Sequence, residues 1–242
     1  MINLTIDGKK LEAEEGRTIL QTARSSDIDI PTLCYHESLT PIGSCRVCVV
    51  EIKTDEISEL TTACTHPVEE GLKVITSSEK VVSARKQAVE LLLARRPHSK
   101  QLQELTQSLN IENPSFILEQ RECILCERCV RTCRELVNIE AITLNTQEKD
   151  RDVEEATVIH SRSKCIGCGS CAYICPTEAI LLENTGSIRK LSTPSGTIKF
   201  KLAECKRCGM HWAPIKELKY TIKKWSLEPD LFDFCPDCRE LS

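Results

Sequence analysis

Sixteen cysteines divide the 242-residue chain into four groups of four, with none left over. The groups are Cys34, Cys45, Cys48 and Cys64; Cys123, Cys126, Cys129 and Cys133; Cys165, Cys168, Cys171 and Cys175; and Cys205, Cys208, Cys235 and Cys238. Thiols without a shared purpose would leave strays, whereas four thiolates complete the shell of a zinc ion or supply the ligands of an iron–sulfur cluster. With only two Trp, three Tyr and four Phe, large core-filling side chains are scarce, so something besides apolar burial must hold parts of the chain together. The start, MINLTIDGKK, alternates like a strand and lacks the basic-then-apolar order of a secretory signal. The expectation is therefore a cytoplasmic chain whose thiols hold metal instead of pairing as disulfides. Apolar runs such as LLLA at 91–94 are too short to span a membrane. A formal charge of −4 argues against general nucleic-acid binding, which usually reads strongly basic.

Ordinary structural segments lie between the groups. Ile2, Leu4 and Ile6 alternate, Asp7-Gly8 supplies a turn, and Leu11 and Ala13 continue, which predicts a hairpin over 2–13. Thr18 is placed to cap a short helix running to Ser25, with Ile19, Leu20 and Ala23 as its buried stripe. Val47, Val49 and Ile52 read as a further strand. Ser78 opens a longer helix with Val81, Val82, Ala84, Ala88, Leu91 and Leu92 near helical spacing, ending before Pro97. Residues 99–122 read as polar helix interrupted at Asn113-Pro114, and 147–155 as a solvated hairpin or loop. Residues 184–197, rich in Ser, Thr, Gly and Pro, read as a linker. A last helix is expected from Pro214, with Ile215, Leu218, Ile222 and Trp225 on one face.

The first group has the spacing Cys34-x10-Cys45-x2-Cys48-x15-Cys64, which is foreign to zinc fingers and suits a loop wrapped around a [2Fe–2S] cluster. Gly43 supplies a tight turn there. A four-thiolate zinc site is the alternative that the long first gap disfavours. The stretch TILQTARSSDIDIPTLCYHESLTPIGSCRVCVVEI (18–52) resembles the N-terminal domain of the complex I large iron–sulfur subunit. The same domain occurs in the small diaphorase subunit of NAD-reducing hydrogenases and at the front of many [FeFe]-hydrogenases. The resemblance implies a ferredoxin-like β-grasp domain over 1–77, with Cys34, Cys45, Cys48 and Cys64 as the [2Fe–2S] ligands. In those families a following His-x3-Cys-x2-Cys-x5-Cys segment ligates another [4Fe–4S] cluster. Here His98 is followed by SKQLQELTQSLNIENPSF, without a cysteine before Cys123, so that cluster is expected to be absent.

CILCERCVRTC (123–133) and CIGCGSCAYICP (165–176) repeat one Cys-x2-Cys-x2-Cys-x3-Cys motif, and NIEAITL (138–144) matches PTEAILL (176–182). The close triplet holds three corners of a cubane, while the fourth thiol points away and ligates the other cluster. One [4Fe–4S] cluster is thus assigned to Cys123, Cys126, Cys129 and Cys175, and a second to Cys165, Cys168, Cys171 and Cys133. Arg134 stands where the second copy keeps Pro176.

The last group, Cys205-x2-Cys208-x26-Cys235-x2-Cys238, has zinc-ribbon spacing. Zn2+ is the expected occupant; a rubredoxin-like iron and a fourth iron–sulfur cluster are the alternatives. Residues 199–224 carry eight Lys and Arg against Glu204 and Glu217, which is either a solvated face or a contact for an acidic subunit. No Gly-x-Gly-x-x-Gly or P-loop motif is present, and His36, His66, His160 and His211 lack an evident catalytic partner, so no catalytic residue is expected.

The expected fold class is α+β. It comprises the β-grasp domain (1–77), a helical connector (78–120), a two-cluster bacterial-ferredoxin-like domain (121–183), the linker (184–197) and a four-cysteine ribbon-like tail (198–242). The resemblance covers most of residues 1–182. It implies a subunit that relays single electrons between a flavin-containing NAD(H)-oxidoreductase subunit and a catalytic subunit, most simply a hydrogenase, in a soluble complex, with electron bifurcation left open. A formate dehydrogenase subunit is the alternative catalytic partner, and soluble ferredoxin is an additional partner beside the subunits of the complex. A free-standing ferredoxin-like carrier and a nucleic-acid-binding redox regulator are readings of other classes.

Overall fold

The computed structural model describes residues 1–53, 58–111, 116–117, 123–145 and 157–239. It is α+β, and the chain divides into two units, Met1–Arg128 and Cys129–Ser242. The stretch read as a solvated loop at 147–155 and the Asn113-Pro114 interruption lie outside the described residues.

The first unit is built on strands β1 (Ile2–Ile6), β2 (Lys9–Ala13), β3 (Val49–Lys53), β4 (Ser58–Thr62) and β5 (Lys73–Ile75), in the sheet order β2-β1-β5-β3-β4. Asp7 and Gly8 both take positive φ, the twist a two-residue hairpin requires. Strands β1 and β5 run parallel and the remaining neighbours antiparallel. Helix α1 (Ile19–Arg24) starts in a capping box: the Gln21 N–H donates to the Thr18 hydroxyl, and the Gln21 side chain accepts from the Thr18 N–H. Its buried residues join Leu4, Ile6, Val50, Ile52 and Val74 in one apolar core.

Helix α2 (Glu79–Arg95) is capped by the Ser78 hydroxyl, and α3 (Lys100–Ser108) by that of Ser99. The inward face of α2 is Val81, Arg85, Val89 and Leu93, one residue per turn. This corrects the apolar stripe expected from the sequence, because Val82 and Leu91 are each 53 % exposed. Arg85 takes a core position by donating to three backbone carbonyls, those of Val47 (3.1 Å), Val49 (2.8 Å) and Thr76 (3.2 Å). Hydrogen bonding on that scale lets a cation occupy an apolar face.

The second unit starts in α4 (Arg128–Arg131), whose last turn widens into a π-turn over Thr132–Leu136. Strands β6 (Ile142–Asn145) and β7 (Thr157–His160) pair antiparallel, and α5 (Ser170–Tyr173) follows. Strands β8 (Leu181–Thr185), β9 (Ile188–Thr193), β10 (Gly196–Glu204) and β11 (His211–Pro214) then form an antiparallel sheet in the order β11-β10-β9-β8. The expected linker at 184–197 is therefore the two hairpins of this sheet. Gly186 and Gly196, both at positive φ, mark hairpin turns, and β10 buries Ile198, Phe200 and Leu202 with period two. Helix α6 (Ile215–Trp225) follows Pro214 as expected, although Trp225 is 66 % exposed and Leu218 carries the buried face. A short α7 (Pro236–Arg239) closes the described chain.

Candidate metal centres

The first thiol set sits where two cores meet. Cys48 and Cys64 belong to the sheet core, and their sulfurs are 3.3 Å apart. Cys34 and Cys45 belong to a second core with Leu33, Val47, Val89, Leu93, Leu102, Ile124 and Cys126. The Cys34 N–H donates to Cys45 Sγ at 3.4 Å, so the backbone already serves the sulfur. Gly43 is at φ 64°, and a Cβ there would lie 2.9 Å from the Thr62 hydroxyl, which is why this turn admits only glycine. Hydrogen bonding to Cys34 and then burial push the Cys45 thiol far up. Cys48 and burial do the same to Cys64, while Cys64 in turn holds Cys48 down. Four buried thiols that cannot all ionise against one another form a donor set that needs a cation.

In the second unit, Cys133 lines one cavity with Cys165, Cys168 and Cys171. This brings the fourth thiol of the first motif to the triplet of the second. The Ala141 N–H donates to Cys133 Sγ at 3.3 Å, and the Ala179 N–H to Cys175 Sγ at 3.2 Å. Ala141 and Ala179 are equivalent positions of the repeat, yet they follow their cysteines by eight and four residues. The π-turn at Thr132–Leu136 absorbs those extra residues and lets the same amide reach the same sulfur. The repeat is also visible in the backbone. Leu125, Glu127 and Glu140 are left-handed, as are Gly167, Gly169 and Glu178 at the matching places. The second copy uses glycine for a packing reason: a Cβ would come within 2.7 Å of the Phe200 ring at Gly167 and within 2.9 Å of Leu182 at Gly169. Burial pushes the Cys165 thiol up to about 11 and Cys171 higher still. It also raises Cys133, although amides at 140–142 pull the other way. Cys123 and Cys126 lie in the first unit, where the Leu125 N–H donates to Cys123 Sγ at 3.3 Å; Cys129 and Cys175 lie in the second.

The last set is the tightest. The sulfurs of Cys205, Cys208, Cys235 and Cys238 all lie within 4.8 Å of one another. A knuckle forms as the Cys205 N–H donates to Met210 O and the Gly209 N–H to Cys205 O, with Gly209 at φ 71°. Burial opposes ionisation of Cys205, but backbone N–H groups of Cys208, Cys235 and Arg207 outweigh it and bring the thiol down to about 6. Cys238 is pushed up to about 12 by burial and by its neighbouring thiols Cys208 and Cys235. Four sulfurs this close together, with backbone N–H groups favouring the Cys205 thiolate, fit a soft divalent cation.

Helix α6 reaches from this tail to the loops of the neighbouring set. Lys216 Nζ donates to Ser163 O at 2.6 Å, and the Tyr220 hydroxyl to Val137 O at 3.2 Å. These two contacts, like the burial of Arg85 and His160, were not foreseen from the sequence. The inward alternation of Val158 and His160 along β7 is the signal that reveals the latter. His98 is exposed in the turn between α2 and α3. Among the described residues no helix is long and apolar enough to cross a membrane.

Comparison with known proteins finds two cluster-binding domain families along the chain. Residues 1–79 match the 2Fe-2S iron-sulfur cluster binding domain family, and residues 122–179 the 4Fe-4S dicluster domain family. The chain is 32 % identical over 206 residues to the NADPH-Fe(3+) oxidoreductase subunit alpha of Geobacter sulfurreducens, covering 75 % of this chain and 24 % of that one. It is 33 % identical over 212 residues to the NADP-reducing hydrogenase subunit HndD of Solidesulfovibrio fructosivorans, covering 75 % and 36 %. The chain thus spans only about a quarter to a third of the length of these curated relatives. A chain of a crystallised NAD+-reducing [NiFe]-hydrogenase superposes with a TM-score of 0.62 at 25 % identity, over 72 % of this chain and 84 % of that one.

Proposed function

The chain carries a 2Fe-2S cluster binding domain and a 4Fe-4S dicluster domain, and from that premise we propose that it is the electron-transfer subunit of an NAD(P)-linked oxidoreductase complex. In this reading Cys34, Cys45, Cys48 and Cys64 hold one [2Fe–2S] cluster. Cys123, Cys126, Cys129 and Cys175 hold one [4Fe–4S] cluster, and Cys133, Cys165, Cys168 and Cys171 the other. Cys205, Cys208, Cys235 and Cys238 hold Zn2+. When bound, the clusters supply one-electron transfer with little rearrangement, and the zinc ion supplies structure only.

The protein's own part is to hold, insulate and tune. Amides of Cys34, Leu125, Ala141 and Ala179 donate to ligand sulfurs, which favours the more negative, reduced form. The observation that carries the relay is the shared core of the first unit. Cys34 and Cys45 of the first set are packed in the same apolar cluster as Cys126 of the second, so a His-ligated intermediate station is not needed between them. The partners in this reading are a flavin-containing NAD(H)-oxidising subunit on one side and a hydrogenase catalytic subunit on the other. The names of a relative and of the solved structure, an NADP-reducing and an NAD+-reducing hydrogenase, support the hydrogenase and the nicotinamide-linked side of that pairing.

The test is anaerobic native purification of the tagged full chain from its own cells. The expected result is co-purification with a flavoprotein and with NAD(H)-linked hydrogenase activity. A lone species near its own 27.2 kDa would overturn the subunit reading.

A further inference from the structure

His160 lines the cavity that Cys133, Cys165, Cys168 and Cys171 share. It is 9 % exposed, and its Nδ1 is buried without a hydrogen-bond partner. The residue's place is fixed from both sides. On β7 it stands opposite Ile142, and its backbone N–H donates to the Ser195 hydroxyl at 3.2 Å. Ala141, next to Ile142, is the residue whose N–H donates to Cys133 Sγ. A buried imidazole nitrogen left without a partner is unfavourable and rare, and such an atom in a cofactor cavity points to an acceptor that the cofactor brings.

We infer that His160 is a positioning residue for the second [4Fe–4S] site, its Nδ1–H donating a hydrogen bond to a sulfur of the cluster held by Cys133, Cys165, Cys168 and Cys171 and thereby raising that site's reduction potential. The inference rests on the ligand assignment proposed above. A cluster sulfur can only accept, so the proton sits on Nδ1 in this arrangement. On reduction one electron arrives from a one-electron donor and no bond forms or breaks. The added negative charge spreads over the sulfurs, so a donor aimed at them stabilises the reduced state more than the oxidised one.

The experiment is an EPR-monitored dithionite titration of the full chain, comparing wild type with His160→Phe, His160→Gln and Cys165→Ser. His160→Phe is expected to lower one [4Fe–4S] midpoint by about 59 mV, a tenfold change in the oxidised-to-reduced ratio at fixed potential for a one-electron couple. The [2Fe–2S] midpoint and the iron content should stay unchanged, and His160→Gln, which keeps a donor, should recover most of the shift. Unmoved midpoints in His160→Phe at full iron content overturn the inference. So does an equal fall in His160→Phe and His160→Gln, which would make the effect one of shape. Cys165→Ser should abolish one of the two [4Fe–4S] signals. If it leaves both intact the ligand assignment itself fails, and the inference with it.

Discussion

Single side chains anchor the metal loops to the scaffold. Arg85 reaches from α2 to the carbonyls of Val47 and Val49, immediately beside Cys48, and to that of Thr76. Arg85→Met would keep the volume and leave three carbonyls unserved, which should destabilise the first unit by about 3 kcal/mol and loosen the Cys45–Cys48 loop. Thermal unfolding and [2Fe–2S] retention report both effects. Glu51, buried on β3, accepts from the Ser58 hydroxyl and faces Lys53 and Lys80 at 3.9 and 3.8 Å. Hydrogen bonds from Ser58 and Ser78, against some cost of burial, hold its carboxyl below the ordinary value of 4.5. A carboxyl depressed on folding stabilises the protein above its ordinary pKa, and that contribution is lost as pH falls through the folded value. Glu51→Gln should therefore lower the melting temperature at pH 7 and make little difference in strongly acid solution. Melting curves of the two proteins across pH check this, and an equal deficit at all pH values would contradict it.

At the scale of elements, the strands after the dicluster module press directly onto its second motif. Phe200 on β10 and Leu182 on β8 occupy the space that side chains at 167 and 169 would need. Gly167→Ala should cost about 1–3 kcal/mol through overpacking and strain at φ 82°, and should reduce iron content at that site. The matching Leu125→Gly, at φ 56°, carries no such clash and should leave iron content unchanged. This grip was hidden in the sequence because a stretch such as NTGSIRKLSTPSGT offers the same Gly, Pro, Ser and Thr to a linker and to two hairpins. Only the period-two burial of Ile198, Phe200 and Leu202 beyond it separates the two. By contrast the hairpin at 2–13, the Thr18 cap and the helix start at Ser78 were legible, since each is fixed by local chemistry. Arg85 and His160 were not, because their burial depends on carbonyls and thiols brought together only by the tertiary fold.

Across the whole molecule, the proposed ligand sets divide into three redox stations and a structural tail. The cavity with Cys133, Cys165, Cys168 and Cys171 and the four-sulfur cluster at 205–238 share one unit, and α6 ties them through Lys216 and Tyr220. Selective chelation of the tail metal should therefore lower the melting temperature of the second unit while leaving the [2Fe–2S] spectrum unaltered, a difference that calorimetry and EPR on one sample resolve. Iron, acid-labile sulfide and zinc measured per chain on anaerobically purified protein go to the centre of the account. One [2Fe–2S] cluster, two [4Fe–4S] clusters and a structural ion correspond to about ten iron, about ten sulfide and about one zinc. About twelve to fourteen iron without zinc would contradict it, making residues 205–238 a fourth redox station on the electron path.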